Sequence, residues 1–247
     1  MRHFAYLRGI AMARQPKSAA PRERSNPEKE FVNHKSNPFQ AKTLKQKELF
    51  AALNTSTITF ATGCPGTGKS YVAIAYACEG LLNGKFDKIL LTRPMVPAAF
   101  ESVGALPGDL VDKFILPYIG PVRHILDDCL GSGHVDMYIK EGRIICSPLA
   151  FMRGSTYNKT CMILDESQNC VPEQVKMVLT RIGKDSQCII AGDSMQSDLR
   201  SRNGLDDAVE RLSWHPDIKI VDFKRCDIVR NSIIADILQS YEDSIVR

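Results

Sequence analysis

Apolar residues in this chain fall into two rhythms that take turns. Near-continuous apolar, β-rich runs occupy 57–62, 88–92, 143–146, 160–164, 187–191 and 218–223. Between and after them, 71–82, 172–182, 205–212 and 229–241 repeat apolar residues every three to four positions, the spacing of one helix face. In 172–182, Pro172 suits a first helical turn, and Val175, Val178, Leu179 and Ile182 follow on one stripe. Leu44, Leu49, Ala52 and Leu53 suggest a further short helix within 38–53. Strands that are apolar throughout are buried on both faces, so the alternation predicts an α/β fold, a mostly parallel sheet with helices on both faces.

Residues 1–36 follow neither rhythm. From Arg14 to Pro38, that residue included, four prolines occur among Ser, Asn, Lys and Arg, so 1–36 reads as a mobile basic tail and 37–247 as a single domain. The tail holds eight Lys or Arg against three acidic residues, and the whole chain is only +4. The domain itself is therefore close to neutral, and nucleic-acid binding has to rest on local patches or on the tail.

With 247 residues, the chain has room for one domain with a sizeable core but not for two full nucleotide-binding domains. Hydrophobic residues at 44% and charged residues at 24% exclude a wholly disordered chain and a coiled coil. The eight cysteines form no C-x-x-C pair, and several sit in apolar runs. They read as buried free thiols in a reducing, cytoplasmic setting rather than as a disulfide framework or zinc site. No run approaches transmembrane length, and Arg8 interrupts the only stretch resembling a signal core. An Arg-rich start also fits a transit peptide, and Met12 is an alternative start.

The chemistry concentrates at strand ends. After the first run comes Gly63-Cys64-Pro65-Gly66-Thr67-Gly68-Lys69-Ser70, then a helix opening at Tyr71. This is G-x-x-x-x-G-K-[ST] in its strand–loop–helix setting: backbone N–H groups cradle phosphates, the lysine neutralises β/γ oxygens and the hydroxyl ligates Mg²⁺. The run 160–164 ends in Asp165-Glu166. Two acids after an apolar run are a weak signal alone. Paired with a phosphate loop, they supply a metal ligand, Asp165, and a base for water, Glu166, which favours an ATPase over a kinase. Gln196, beyond the run 187–191, can reach a γ-phosphate or simply close a turn. Arg93 and Arg153 each follow an apolar run and are placed at the sheet's carboxyl edge, where they contact RNA phosphates, the nucleotide, or Asp109 or Asp112 in an ordinary salt bridge. The five histidines lack ligand spacing and are assigned no metal, and Trp214 reads as closing a helix.

Several stretches carry a more specific likeness: Leu91-Thr-Arg-Pro94, Gly104-Ala-Leu-Pro-Gly-Asp109, Pro148-Leu-Ala-Phe-Met-Arg-Gly154, Ile163-Leu-Asp-Glu-Ser-Gln-Asn169 and Lys176-Met-Val-Leu-Thr-Arg-Ile-Gly183. From about Lys42 to Ser240 the chain resembles the PhoH-like family. The resemblance implies a RecA-like P-loop NTPase related to the nucleotide-binding half of superfamily 1 helicases, often linked to phosphate starvation and RNA metabolism. It also implies that Gln46 reads the adenine edge, that Gln196 senses the γ-phosphate, and that Arg230 acts as a finger on a nucleotide. Three positions depart from the family's usual pattern: Ser167 replaces alanine, a change too small to move the carboxylates; Ser155 replaces an arginine; and Cys226 replaces an acid before Asp227. A PIN-like nuclease domain has no room in 1–36, so RNA cleavage is not expected.

The expected protein is an Mg²⁺-dependent ATPase coupled to RNA binding or remodelling, with single-stranded RNA as partner and no membrane. A single RecA-like domain needs its missing half from elsewhere. Arg230 from a neighbouring copy would close a homo-oligomeric ring, a hexamer being the common closure. A nucleotide-gated binding module and, behind it, a P-loop kinase are the alternatives.

Overall fold

The structure is a computed structural model that describes residues 39–94, 110–199 and 202–229. The tail 1–36, the segment 95–109, Arg230 and the helix expected over 229–241, save Val229, lie outside the described residues.

The chain runs α1 (Leu44–Thr55), β1 (Ile58–Gly63), α2 (Lys69–Leu82), β2 (Lys88–Thr92), α3 (Leu110–Leu130), α4 (Ser132–Lys140), β3 (Ile144–Cys146), β4 (Thr160–Leu164), α5 (Pro172–Leu179), β5 (Gln187–Ala191), α6 (Gly204–Leu212) and β6 (Ile218–Phe223). The six strands form one sheet in the order β3-β2-β4-β5-β1-β6, and every pairing is parallel. The apolar runs thus became strands within a residue of their expected ends.

Period-two alternation explains why the inner strands β1, β2, β4 and β5 are apolar along most of their length. Ala61, Ile89, Leu91, Cys161, Ile163, Ile189 and Ala191 face a core made with α1–α4. Their neighbours Phe60, Leu90, Met162, Leu164, Cys188 and Ile190 face a second core made with α5 and α6. Each face is closed by helices, as a parallel sheet requires. The result is the expected α/β fold, a parallel sheet with helices on both faces. Because all strands run one way, their carboxyl ends share one edge, and the loops there face a common crevice.

Two helices were not anticipated. In α3, Pro117, Gly120 and Pro121 read as breakers, yet the helix continues through them for 21 residues. Its last turns bury Val122, Ile125, Leu126 and Leu130 against α2 and the sheet. The short α4 follows after Gly131 and buries Val135 and Tyr138. Trp214 lies two residues beyond α6, exposed, with its indole N–H donated to the Arg211 carbonyl. All eight cysteines are free; five are buried, whereas Cys226 is exposed. No helix among the described residues is long and apolar enough to cross a membrane.

Candidate functional site

The loop between β1 and α2 is shaped by backbone. Gly63 has φ +98°, and a Cβ there would come 2.0 Å from the Phe223 carbonyl oxygen of β6. Only glycine lets β1 and β6 meet so closely while the chain turns into the loop. Gly68, at φ +87°, packs against the Gln46 amide, which a Cβ would approach to 2.7 Å. Cys64 N–H donates to the Phe223 carbonyl, Thr67 Oγ donates to the Cys64 carbonyl, and Val229 N–H donates to the Gly66 carbonyl. The loop is therefore fixed at both ends and in the middle.

Lys69 opens α2 with its side chain folded back over the loop, where Nζ donates to the Gly63 and Cys64 carbonyls at 2.6 and 2.7 Å. Burial pushes its ammonium below the usual lysine range, opposed by Asp193 and Asp165. An anion entering the loop would relieve that penalty, because the same ammonium could turn from neutral carbonyls to charged oxygens.

Ser70 and Asp165 belong to motifs far apart in sequence, yet Ser70 Oγ donates to Asp165 Oδ1 at 2.8 Å. The contact joins the loop after β1 to the end of β4 past the intervening β5. Burial, then the neighbouring Glu166, push the Asp165 carboxyl above the usual range; Arg93 and the Ser70 hydroxyl oppose this. Ser70, Asp165 and Thr92 line one small cavity, and the Thr92 hydroxyl is buried without a hydrogen-bond partner among the described residues. Hard oxygens in that arrangement suit Mg²⁺, which typically takes one or two protein ligands and completes its shell with phosphate and water. No cluster of three His, Cys, Asp or Glu that could hold a metal ion exists among the described residues.

Glu166 adopts a left-handed conformation, φ +54° and ψ +37°, which turns its side chain at the mouth of β4. Gln168 Nε2 donates to its Oε2 at 2.8 Å, and the Arg93 guanidinium lies 3.3 Å from its Oε1. Gln168 is 2% exposed, and its own Oε1 accepts the Asp193 N–H. Arg93 therefore pairs with the acidic pair; Asp109 and the side chain of Asp112, its other expected partners, lie outside the described residues. Ser167 is also more engaged than its size suggested: it is fully buried, and its hydroxyl donates to the Ala191 carbonyl at the end of β5.

These groups surround a cavity of 540 Å³ at the carboxyl edge. Gln46, Pro65, Gly66, Gly68, Lys69, Ser70 and Tyr71 line it on the loop side; Asp165, Glu166 and Gln196 line it opposite. Gln46 is 2% exposed, donating to the Thr67 carbonyl and accepting the Lys42 N–H. Those bonds leave one amide hydrogen and one lone pair for any ligand. Gly63, Cys64 and Thr67 shape the loop from behind. Arg153 lies exposed after the short turn Leu149–Met152 and takes no part in the cavity. The wall from α3, with Val122, His124 and Ile125, and the struts Gln168 and Asp193 were not singled out by the sequence reading.

Among known proteins, the family model described as PhoH-like protein matches residues 38–242. A PhoH-like protein of Bacillus subtilis (strain 168) is 42% identical over 212 residues, which is 85% of this chain and 66% of that protein. A PhoH-like protein of Mycobacterium tuberculosis (strain ATCC 25618 / H37Rv) is 38% identical over 214 residues, 86% of this chain and 60% of the relative. Protein PhoH of Escherichia coli (strain K12) is 36% identical over 210 residues, 83% and 59% respectively. The chain thus spans 59–66% of the length of these relatives. The N-terminal domain of the DNA packaging ATPase from bacteriophage phi29 aligns at 15% identity with a TM-score of 0.36, covering 61% of this chain and 78% of that one; a superposition that loose carries no argument.

Proposed function

The chain belongs to the PhoH-like protein family, and from that premise we propose that it binds Mg²⁺–ATP in the crevice at the carboxyl edge of the sheet and hydrolyses it. The observation that carries this reading is the 2.8 Å hydrogen bond from Ser70 Oγ to Asp165 Oδ1. It supports a site in which a phosphate cradle and an acidic strand end serve one ligand.

The loop N–H groups and the N-terminus of α2 receive the phosphates, and Lys69 shifts from the Gly63 and Cys64 carbonyls to the β/γ oxygens. Ser70 and Asp165 would hold Mg²⁺, which would supply charge to offset that of the phosphates. Glu166 orients a water and takes its proton, and Gln196 stands where it can report the γ-phosphate. Gln46 offers its remaining amide hydrogen and lone pair to the base edge. Asp165 is a poor candidate for the proton acceptor because its carboxylate belongs to Ser70 and the metal.

Coupling to single-stranded RNA, an association with phosphate starvation, a cytoplasmic setting, and a hexameric ring completed by Arg230 from a neighbouring copy are parts of the proposal that rest on the family resemblance.

The two halves of the site separate in an assay. Lys69→Ala should abolish tight nucleotide binding. Glu166→Gln should retain binding and lower turnover about 100- to 10,000-fold, the usual contribution of a general base. Equal loss of nucleotide affinity in both variants would refute these roles. Steady-state rates with and without RNA then test the coupling: stimulation supports it, binding without turnover favours a nucleotide-gated module, and release of ADP only with a phosphate acceptor favours a kinase.

A further inference from the structure

Arg93 is a charged group of the cavity that hydrolysis, as just described, leaves without a task. It follows β2, next to the end of β4, with Nη2 3.3 Å from Glu166 Oε1 and 4.0 Å from Asp165 Oδ2. Glu166 is consequently engaged at both oxygens, by Arg93 on Oε1 and by Gln168 on Oε2.

The two holders differ in kind. Gln168 is buried, gives a well-formed hydrogen bond, and is locked in turn by the Asp193 N–H. Arg93 and Glu166 have side chains 23% and 45% exposed and share one contact, and ion pairs of that sort are weak and readily exchanged. A base that activates water needs one free carboxylate oxygen. The oxygen covered by Arg93 is the one not committed to the buried amide. Arg93 also lines the same cavity as Lys69 and Gln196. A guanidinium there matches a phosphate better than it matches one carboxylate oxygen, since a phosphate offers two acceptors in the plane of the fork.

Resting on the hydrolysis reading, we propose that Arg93 exchanges partners: it holds Glu166 Oε1 while the site lacks a terminal phosphate, and moves to that phosphate when a nucleoside triphosphate binds, freeing the oxygen for the attacking water. Gln168 keeps the carboxylate oriented through the exchange. The base is thereby released by the presence of the group it is to attack, and a nucleoside diphosphate leaves it covered.

Calorimetric titration of the full chain, in Mg²⁺, with a non-hydrolysable ATP analogue and with ADP tests this. Arg93→Ala should weaken the analogue roughly tenfold, the loss of one charge-assisted contact, and leave ADP unchanged; Arg93→Lys should fall between. Glu166→Gln removes the competitor for Arg93, so it should tighten the analogue severalfold in the wild-type background and have no such effect in Arg93→Ala. Simple repulsion between Glu166 and the γ-phosphate would tighten binding in both backgrounds, and that result would overturn the exchange. Equal weakening of analogue and ADP by Arg93→Ala would overturn it too. A wild-type protein that binds neither nucleotide would overturn the hydrolysis reading and the exchange with it, whereas analogue binding without the background-dependent effect removes the exchange alone.

Discussion

The phosphate loop after β1 and the acidic turn after β4 face each other across one cavity, and they are held by different means. In the loop the ends are fixed by backbone, through the close approach of Gly63 to Phe223 and the amides of Cys64 and Val229 on neighbouring carbonyls, and the side chains of Gln46, Thr67 and Lys69 add bonds to loop carbonyls. Around Glu166 the fixed parts are side chains, with Gln168 on one oxygen and Arg93 on the other. Backbone geometry is inherited from the sheet and changes only if the sheet changes. Side-chain contacts can be traded one at a time. The half of the site suited to binding is thus built in with the fold, and the half suited to chemistry is adjustable.

Substitutions that attack each half by its own means should break this contrast if it is wrong. The largest effect is expected at Gly63. Alanine there meets both an unfavourable positive φ and a carbonyl oxygen 2.0 Å from its Cβ. Backbone strain and overpacking together cost about 2–6 kcal/mol. Gly63→Ala should therefore lower the melting temperature by roughly 4–24 °C and destroy nucleotide binding together with stability. A folded Gly63→Ala protein with wild-type melting would show that β1 and β6 do not depend on that approach. Gln168→Ala should act on the other half. It leaves the buried Asp193 N–H without its acceptor, at about 1–3 kcal/mol, and frees Glu166 to wander. Turnover should fall roughly tenfold through kcat, with KM little changed, as for a lost positioning contact. A rise in KM at constant kcat would assign Gln168 to nucleotide binding instead.

The same contrast governs how much could be read from the sequence. The strands were legible because burial on both faces demands unbroken apolar runs, and the loop because its glycines and Lys69-Ser70 stand at fixed spacing along the chain. The segment 110–130 was not, since Pro117, Gly120 and Pro121 mask an apolar recurrence at Val111, Phe114, Tyr118, Val122, Ile125 and Cys129 that runs beneath them. The cost was the cavity wall at His124 and Ile125. Gln168 escaped for another reason, and so did the pairing of Arg93 with Glu166, although Arg93 itself was placed at the carboxyl edge. Their roles depend on partners brought together by the strand order β2-β4-β5, and nothing local to either residue signals it. Ser167 was dismissed on size, yet a buried hydroxyl needs an acceptor, and the end of β5 supplies one.

The smallest effect expected concerns what the adjustable half costs the protein when no ligand is present. Burial and the adjacent Glu166 raise the Asp165 carboxyl above its ordinary value, and burial does the same to Asp193. A group whose value is higher folded than unfolded adds stability below its unfolded value and loses it as pH rises through its folded one. At neutral pH the ionised Asp165 is therefore a burden on the nucleotide-free fold. Asp165→Asn removes the charge and keeps an oxygen to accept the Ser70 hydroxyl. It should melt about 2–4 °C above the wild type at pH 7, which is ~1 kcal/mol for a domain of this size. The gap should close as pH is lowered through the carboxyl range, where the wild-type side chain becomes neutral as well. Mg²⁺ with nucleotide should stabilise the wild type and not the variant, reversing the order of melting. A variant that melts at or below the wild type at pH 7 without ligand would mean that Ser70 and Arg93 already compensate the buried charge, and that the acidic turn is as firmly settled as the loop it faces.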